Sequence, residues 1–183
     1  MDLNRFTEKA QEAVAQAQGL AAEYNHGQIE GEHLLLALLR QADGIVPQIV
    51  QKLGLQPDSL IQQLSGELDR RPRVYGGAAQ VGLSRELQQT LQQALKIAEG
   101  MHDDFVSTEH LLLALSEGRA GNVGQMLQAH GLSKDNILRV LAGIRGSQRV
   151  TSQTPESTYQ ALEKYGRDLT DMARQGKLDP VIG

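Results

Sequence analysis

The heptad EHLLLAL occupies residues 32–38 and recurs letter for letter at 109–115. A leucine-rich heptad can recur in any helical chain, so its flanks decide whether the two copies mark one structural unit used twice. At a constant shift of 77 residues, positions 6–66 lie over 83–143 without a gap, and roughly a third of them are identical. Gly44 falls on Gly121, Val46 on Val123, Gly54 and Leu55 on Gly131 and Leu132, Asp58 on Asp135, and Leu64 on Leu141. Chance does not bring turn glycines and core leucines into register together over such a length, so the chain contains an internal duplication.

Each copy reads as four helices. The first begins at Thr7, with Ala10, Val14, Ala17, Ala21 and Tyr24 on one stripe, and its partner begins at Ser84, with Leu87, Leu91, Ala94, Leu95 and Ala98. Thr7 and Ser84 stand where an N-cap hydroxyl receives a free backbone N–H. The second helix is the EHLLLAL element, entered through Gly31 or Thr108, with Glu32 or Glu109 in its first turn where the helix dipole favours a carboxylate. Five apolar residues in a row leave it little polar face, which predicts the buried centre of each unit.

The third helix is expected at about 46–53 and 123–130, ended by Gly54 or Gly131 in a left-handed conformation. The fourth opens at Gln56-Pro57 in one copy and Ser133 in the other. Its inward residues are Leu60, Ile61, Leu64 and Leu68, matched by Ile137, Leu138 and Leu141. The expected fold is therefore all-α: two four-helix units, 1–66 and 83–145, related by pseudo-two-fold symmetry. Residues 67–82 join them, because the proline and paired glycines of RRPRVYGGAAQVG forbid a continuous helix. GSQRVTSQTPES is almost free of apolar residues, so residues 146–157 are expected to be a flexible linker. Residues 158–183 turn apolar again at Tyr159, Leu162, Leu169 and Met172 and read as the opening of a further domain.

Composition agrees with packed helices. Of 183 residues, 40% are hydrophobic but only 3% aromatic, and tryptophan is absent, so Leu, Ile, Val and Ala must build the core. The absence of cysteine excludes a disulfide framework, thiol chemistry and sulfur-ligated zinc. A net charge of −4 has the wrong sign for wrapping nucleic acid. No apolar stretch approaches the roughly 18 to 20 residues that a membrane-spanning helix needs, and no secretory signal is visible. A soluble, cytoplasmic protein without nucleic-acid or membrane partners is expected.

His33 and His110 are each followed by leucines with no second histidine four residues on, so the HExxH zinc arrangement is absent and no metal site is expected. Both imidazoles are expected to be structural, bonding a backbone carbonyl or solvent. There is no G-x-S-x-G elbow. QGKLDP contains Gly-Lys, but Leu178 replaces the hydroxyl that a phosphate loop requires, so the chain itself is expected to be no enzyme and to hold no cofactor. Asp103, Asp104 and Glu109 form an acidic group beside the second central helix. It reads either as a solvated loop plus a helix-dipole carboxylate, or as a polar rim beside an apolar groove.

The doubled EHLLLAL unit opened by RFTEKAQEAVAQAQGLA resembles the N-terminal repeat domain of Clp-type AAA+ unfoldases, and ESTYQALEKYGRDLTDMARQGKLDPVIG resembles the approach to the first nucleotide-binding domain in the disaggregase branch of that family. The resemblance implies a homohexameric, ATP-driven chaperone that threads aggregated protein through a pore with help from the Hsp70 system. The ATPase motifs, with ATP and magnesium, and the Hsp70-contacting region would lie beyond Gly183, and the piece alone would be a monomer. It further implies an N-terminal domain that engages unfolded or aggregated polypeptide through an apolar groove.

Family members tie a threonine and an acidic pair to substrate handling, and the matching positions are Thr7, Asp103 and Glu109. Thr7 has the competing role of helix cap, and the counterpart Glu32 allows a structural role for Glu109. Exposed leucines of the second copy's first helix, Leu87, Leu91 and Leu95, are the expected groove residues, with ordinary core packing as the alternative. A second function consistent with the family is docking of one folded adaptor, as in its protease-linked members.

Overall fold

The computed structural model describes residues 3–75, 81–117, 120–146 and 148–155. A 3-10 turn, Leu3–Arg5, precedes four helices: α1 (Glu8–Glu23), α2 (Gly31–Arg40), α3 (Ile45–Lys52) and α4 (Pro57–Arg70). The second copy supplies α5 (Arg85–Gly100), α6 (Thr108–Leu115), α7 (Asn122–Ala129) and α8 (Lys134–Arg145). The fold is the expected duplicated, all-helical one. α4 continues to Arg70, so the joining segment starts later than residue 67. The expected further domain at 158–183 lies outside the described residues.

Local chemistry sets the helix ends. Thr7, Ser84 and Ser133 are N-caps whose hydroxyls accept from the N–H groups of Ala10, Leu87 and Asn136 at 3.2, 3.1 and 3.3 Å. Pro57 occupies the first turn of α4. Gly54 and Gly131 follow α3 and α7 at φ +83° and +81°, the left-handed region that a side chain makes costly.

The central helices are buried as their sequence predicts. Leu34 to Leu39 in α2 and Leu111 to Leu115 in α6 are all buried, and each leucine so enclosed contributes roughly 1.5 to 3 kcal/mol of transfer free energy. α1 packs on α2 and α5 on α6, while α2 also meets α6 across the molecular axis.

The pseudo-two-fold axis is recorded in backbone pairing. Strands β1 (Gln28–Ile29) and β2 (Gly82–Leu83) run parallel, with Ile29 opposite Leu83, and Phe6 forms a parallel bridge with Val106. Under the 77-residue shift Phe6 becomes Leu83 and Ile29 becomes Val106, so exchanging the copies turns one pair into the other. The hydrogen bonds follow: Thr7 N–H donates to the Val106 carbonyl at 2.9 Å, and Ser84 N–H to the Ile29 carbonyl at 3.0 Å. Each copy therefore completes its partner's helix entrance, as in an isologous dimer fused into one chain.

Residues 148–155, expected to be flexible linker, lie against the body. Val150 is fully buried, its N–H bonds the Asp103 carboxylate at 2.9 Å and its carbonyl accepts from Asp104 N–H at 2.8 Å. Farther along, the Gln153 carbonyl accepts from Glu8 N–H at 2.9 Å. One buried valine and paired backbone groups suffice to seat a segment whose composition is otherwise polar.

Candidate functional site

The two copies meet along an apolar groove of about 390 Å³. Arg5 and Phe6, between the 3-10 turn and α1, form one wall. Leu83 and the α5 residues Gln88, Leu91, Gln92 and Leu95 form the floor and the other wall. Leu91 is buried at the floor and Leu95 is half-buried at the rim. Arg5 reaches Glu99 at 3.4 Å between two exposed side chains, a pairing that adds little. The equivalent place in the first copy has Val14, Ala15 and Gln18 where α5 has Leu91, Gln92 and Leu95. There the Gln11 amide donates to the Leu3 and Phe6 carbonyls at 2.9 Å each. The equivalent place is thus less apolar in the first copy, with Val14 for Leu91 and Gln18 for Leu95.

The leucine stripe on α5 is less exposed than expected. Leu87 is 2% and Leu91 1% exposed, because the stripe faces α6 and the copy boundary rather than water. Leu87 lines a different, polar cleft with Glu30, Arg71 and Glu86.

Asp103 is no solvated rim residue. It is buried with Arg145, whose guanidinium meets it through two bonds, Nη2 to Oδ1 at 2.6 Å and Nη1 to Oδ2 at 3.0 Å. His110 Nε2 donates to Oδ2 at 2.7 Å and Val150 N–H to Oδ1 at 2.9 Å. Burial alone would raise the Asp103 pKa, but the bonds from His110 and Arg145 overcome it and hold the carboxyl well below its usual range. The 77-residue shift places Asp103, His110 and Arg145 over His26, His33 and Leu68. An arginine standing where its copy has a core leucine is the sequence signal that would have revealed this ion pair.

Glu109 is fully buried in the first turn of α6, so neither member of the expected acidic pair reaches solvent. Its counterpart Glu32 pairs with Arg71 at 2.9 Å. Thr7 is also fully buried, capping α1 directly behind the groove wall.

The two α2/α6 histidines are structural, though through a different bond from the one expected. Each sits at the third helical position and its Nδ1 accepts the N-cap backbone N–H, from Glu30 to His33 at 2.8 Å and from Ser107 to His110 at 2.9 Å. Histidine thus takes the part that Glu or Gln plays in a capping box. With Nδ1 accepting, the neutral ring carries its proton on Nε2. His33 Nε2 then donates to His26 Nδ1 at 2.8 Å, as His110 Nε2 does to Asp103.

Among the described residues no group of three or more His, Asp or Glu is placed to hold a metal, and no helix is long and apolar enough to cross a membrane.

The profile of the Clp repeat (R) N-terminal domain matches residues 5–130. The chain belongs to this family. Relatives of this Clp N-terminal domain include the chaperone protein ClpB of Bacillus cereus, 47% identical over 186 residues, and that of Nitratidesulfovibrio vulgaris, 46% identical over 187. In both cases the alignment takes in 100% of the chain but only 21% and 22% of the relative. The chain thus spans about a fifth of the length of these relatives and matches their N-terminal region. The Hsp104 N-terminal domain from Candida albicans superimposes with a TM-score of 0.73 at 24% identity, over 82% of this chain and 98% of that one. The N-domain of ClpV from Vibrio cholerae does so at 0.66 and 20%, over 76% and 84%. These two similarities establish the shared fold.

Proposed function

We propose that this Clp N-terminal domain is the substrate-engaging front end of an ATP-dependent disaggregase, receiving short apolar segments of unfolded or aggregated polypeptide in the groove between its copies. The observation that supports the reading is the recess lined by Phe6, Leu83, Leu91 and Leu95, set in a domain whose relatives are ClpB chaperones. About 390 Å³ accommodates a few side chains rather than a folded surface. The exposed Gln92 amide at its margin suits a peptide backbone and reads no particular sequence. Binding is accordingly weak and permissive.

In this proposal ATP and magnesium belong to the parts of the full-length protein that this chain does not span. Hsp70 contact and hexamer assembly reside there too, the domain alone is a monomer, and the protein works in the cytoplasm. Delivery of the captured segment to the hexamer pore follows from the domain's place ahead of the ATPase region. Thr7, Asp103 and Glu109 act from behind the wall by holding its elements in place, and Leu87 by packing beside it.

The test is an NMR titration of the labelled domain with reduced, carboxymethylated α-lactalbumin and, separately, with the native protein. Shifts at Phe6, Leu91, Gln92 and Leu95 with the unfolded form alone are expected, and a Leu95→Glu substitution should abolish them. Shifts elsewhere, or none, would sink the groove reading and favour docking of a single folded adaptor.

A further inference from the structure

The wall of the groove is held from two sides. On its inner side Val106 brackets Phe6: Val106 N–H donates to the Arg5 carbonyl at 2.7 Å and Thr7 N–H donates to the Val106 carbonyl at 2.9 Å. On its outer side Gln153 brackets the same residues. Its carbonyl accepts from Glu8 N–H at 2.9 Å, and its side-chain amide donates to the Asn4 carbonyl at 3.1 Å. Glu8 N–H is one of the free donors that begin a helix, so Gln153 finishes the cap that Thr7 starts.

Gln153 belongs to the strap formed by residues 148–155. Behind it the strap is pinned by the buried Val150 side chain, by Asp103, and by Arg145, whose Nε and Nη2 donate to the Gln148 carbonyl at 3.2 and 2.9 Å. Asp103 therefore joins the loop before α6, the end of α8 and the strap in one buried knot. The chain toward residue 155 runs past Asn4 and Glu8, the residues on either side of the groove wall.

We propose that residues 148–155 are a latch that tunes the groove: docked, they hold Arg5 and Phe6 in the position that receives an apolar segment, and undocked they release that wall and lower the groove's affinity. The inference rests on the groove being the substrate site and adds its regulation. A pull on the exit end of the strap reaches the buried Pro155 and then Gln153. Loss of its two bonds removes the strap's hold on either side of the wall and loosens it, leaving the contacts from Val106 and the Gln11 amide. Force on the exit segment thereby becomes release of the bound segment, without any change in the groove's own residues. The bonds that hold the strap are the buried Asp103–Arg145 contact, the Val150 side chain and backbone groups, so the latch is insensitive to moderate salt.

The experiment compares the whole chain with Val150→Asp, Val150→Ala and Gln153→Ala, using amide hydrogen exchange at Glu8 and Asp104, the Phe6 ring resonances, and affinity for reduced, carboxymethylated α-lactalbumin. In Val150→Asp, faster exchange at both amides, shifted Phe6 resonances and about tenfold weaker binding are expected, the last if undocking leaves the wall correctly placed a tenth of the time. The two milder variants should show the same pattern in smaller measure, and they decide the matter if Val150→Asp does not fold. Faster exchange with unchanged Phe6 resonances and unchanged affinity would overturn the latch while leaving the groove intact. If the unaltered chain does not bind the probe, the substrate reading fails by itself. The Phe6 resonances then decide the coupling, supporting it by shifting with strap release and overturning it by staying fixed.

Discussion

Histidine 33 ties one helix start to pH. Burial is the chief reason its pKa falls to about 4, with His26 and Arg71 opposing the charged ring further. Its Nδ1 already accepts a backbone N–H, so protonation there also breaks the cap. The folded pKa lies below the unfolded one, so the unfolded chain binds the extra proton between pH 6.5 and 4. Stability is therefore full above that window, falls as pH drops through it, and levels off below, by up to about 3 kcal/mol. Asp103, with its depressed pKa, continues the loss at lower pH, once the unfolded carboxyl begins to protonate. Urea midpoints at closely spaced pH values should show the decline, and His33→Gln, which keeps a cap acceptor, should make it shallower. The Asp103–Arg145 pair gives a sharper test. Asp103→Asn removes the carboxylate that the buried Arg145 guanidinium meets through two bonds and should cost about 3 to 5 kcal/mol. The double substitution Asp103→His with Arg145→Leu installs the first copy's side chains and should be less destabilised than the single one, measured as a non-additive cycle in denaturant.

Helix α7 shows how an element depends on a single atom. Gly124 stands where the first copy has Pro47, and a methyl group there would overlap the Glu117 carbonyl oxygen, which is backbone and cannot turn aside. Gly124→Ala should destabilise the domain by about 3 kcal/mol, read as a lowered thermal midpoint, despite alanine's better helix propensity. Thr7 offers the contrasting case at α1. Thr7→Ala should cost about 1 to 2 kcal/mol and Thr7→Ser less, because serine keeps the hydroxyl acceptor and loses only a buried methyl group. A loss of probe binding in the serine variant at unchanged stability would instead mark a direct contact.

The whole molecule depends on exchange between copies. Each copy's helix entrance is completed by a strand residue of the other, and α2 and α6 bury one another across the axis. Chains cut to 1–77 or 78–155 expose that face and lose the hydrogen bonds that bridge the copies. Each half should therefore melt without a cooperative transition, monitored by circular dichroism, while the intact chain melts in one step.

Much of this architecture is legible in residue order. Periodicity, hydroxyl caps and turn glycines are local signals, so the all-helical fold, the duplication and the helix ends at Thr7, Ser84, Ser133, Gly54 and Gly131 follow from the sequence by itself. Burial of a given residue does not follow, because it depends on what lies across from it. Leu87 and Leu91 read as a candidate open stripe until α6 and the copy boundary cover them. Asp103 reads as a loop acid until α8 brings Arg145 from 42 positions away. A polar linker becomes a strap because Val150 finds a pocket beside that pair. Only the tertiary structure decided which leucines floor a groove, which acids are interior and which segment holds the wall, since each is a matter of contact between residues that the chain keeps far apart.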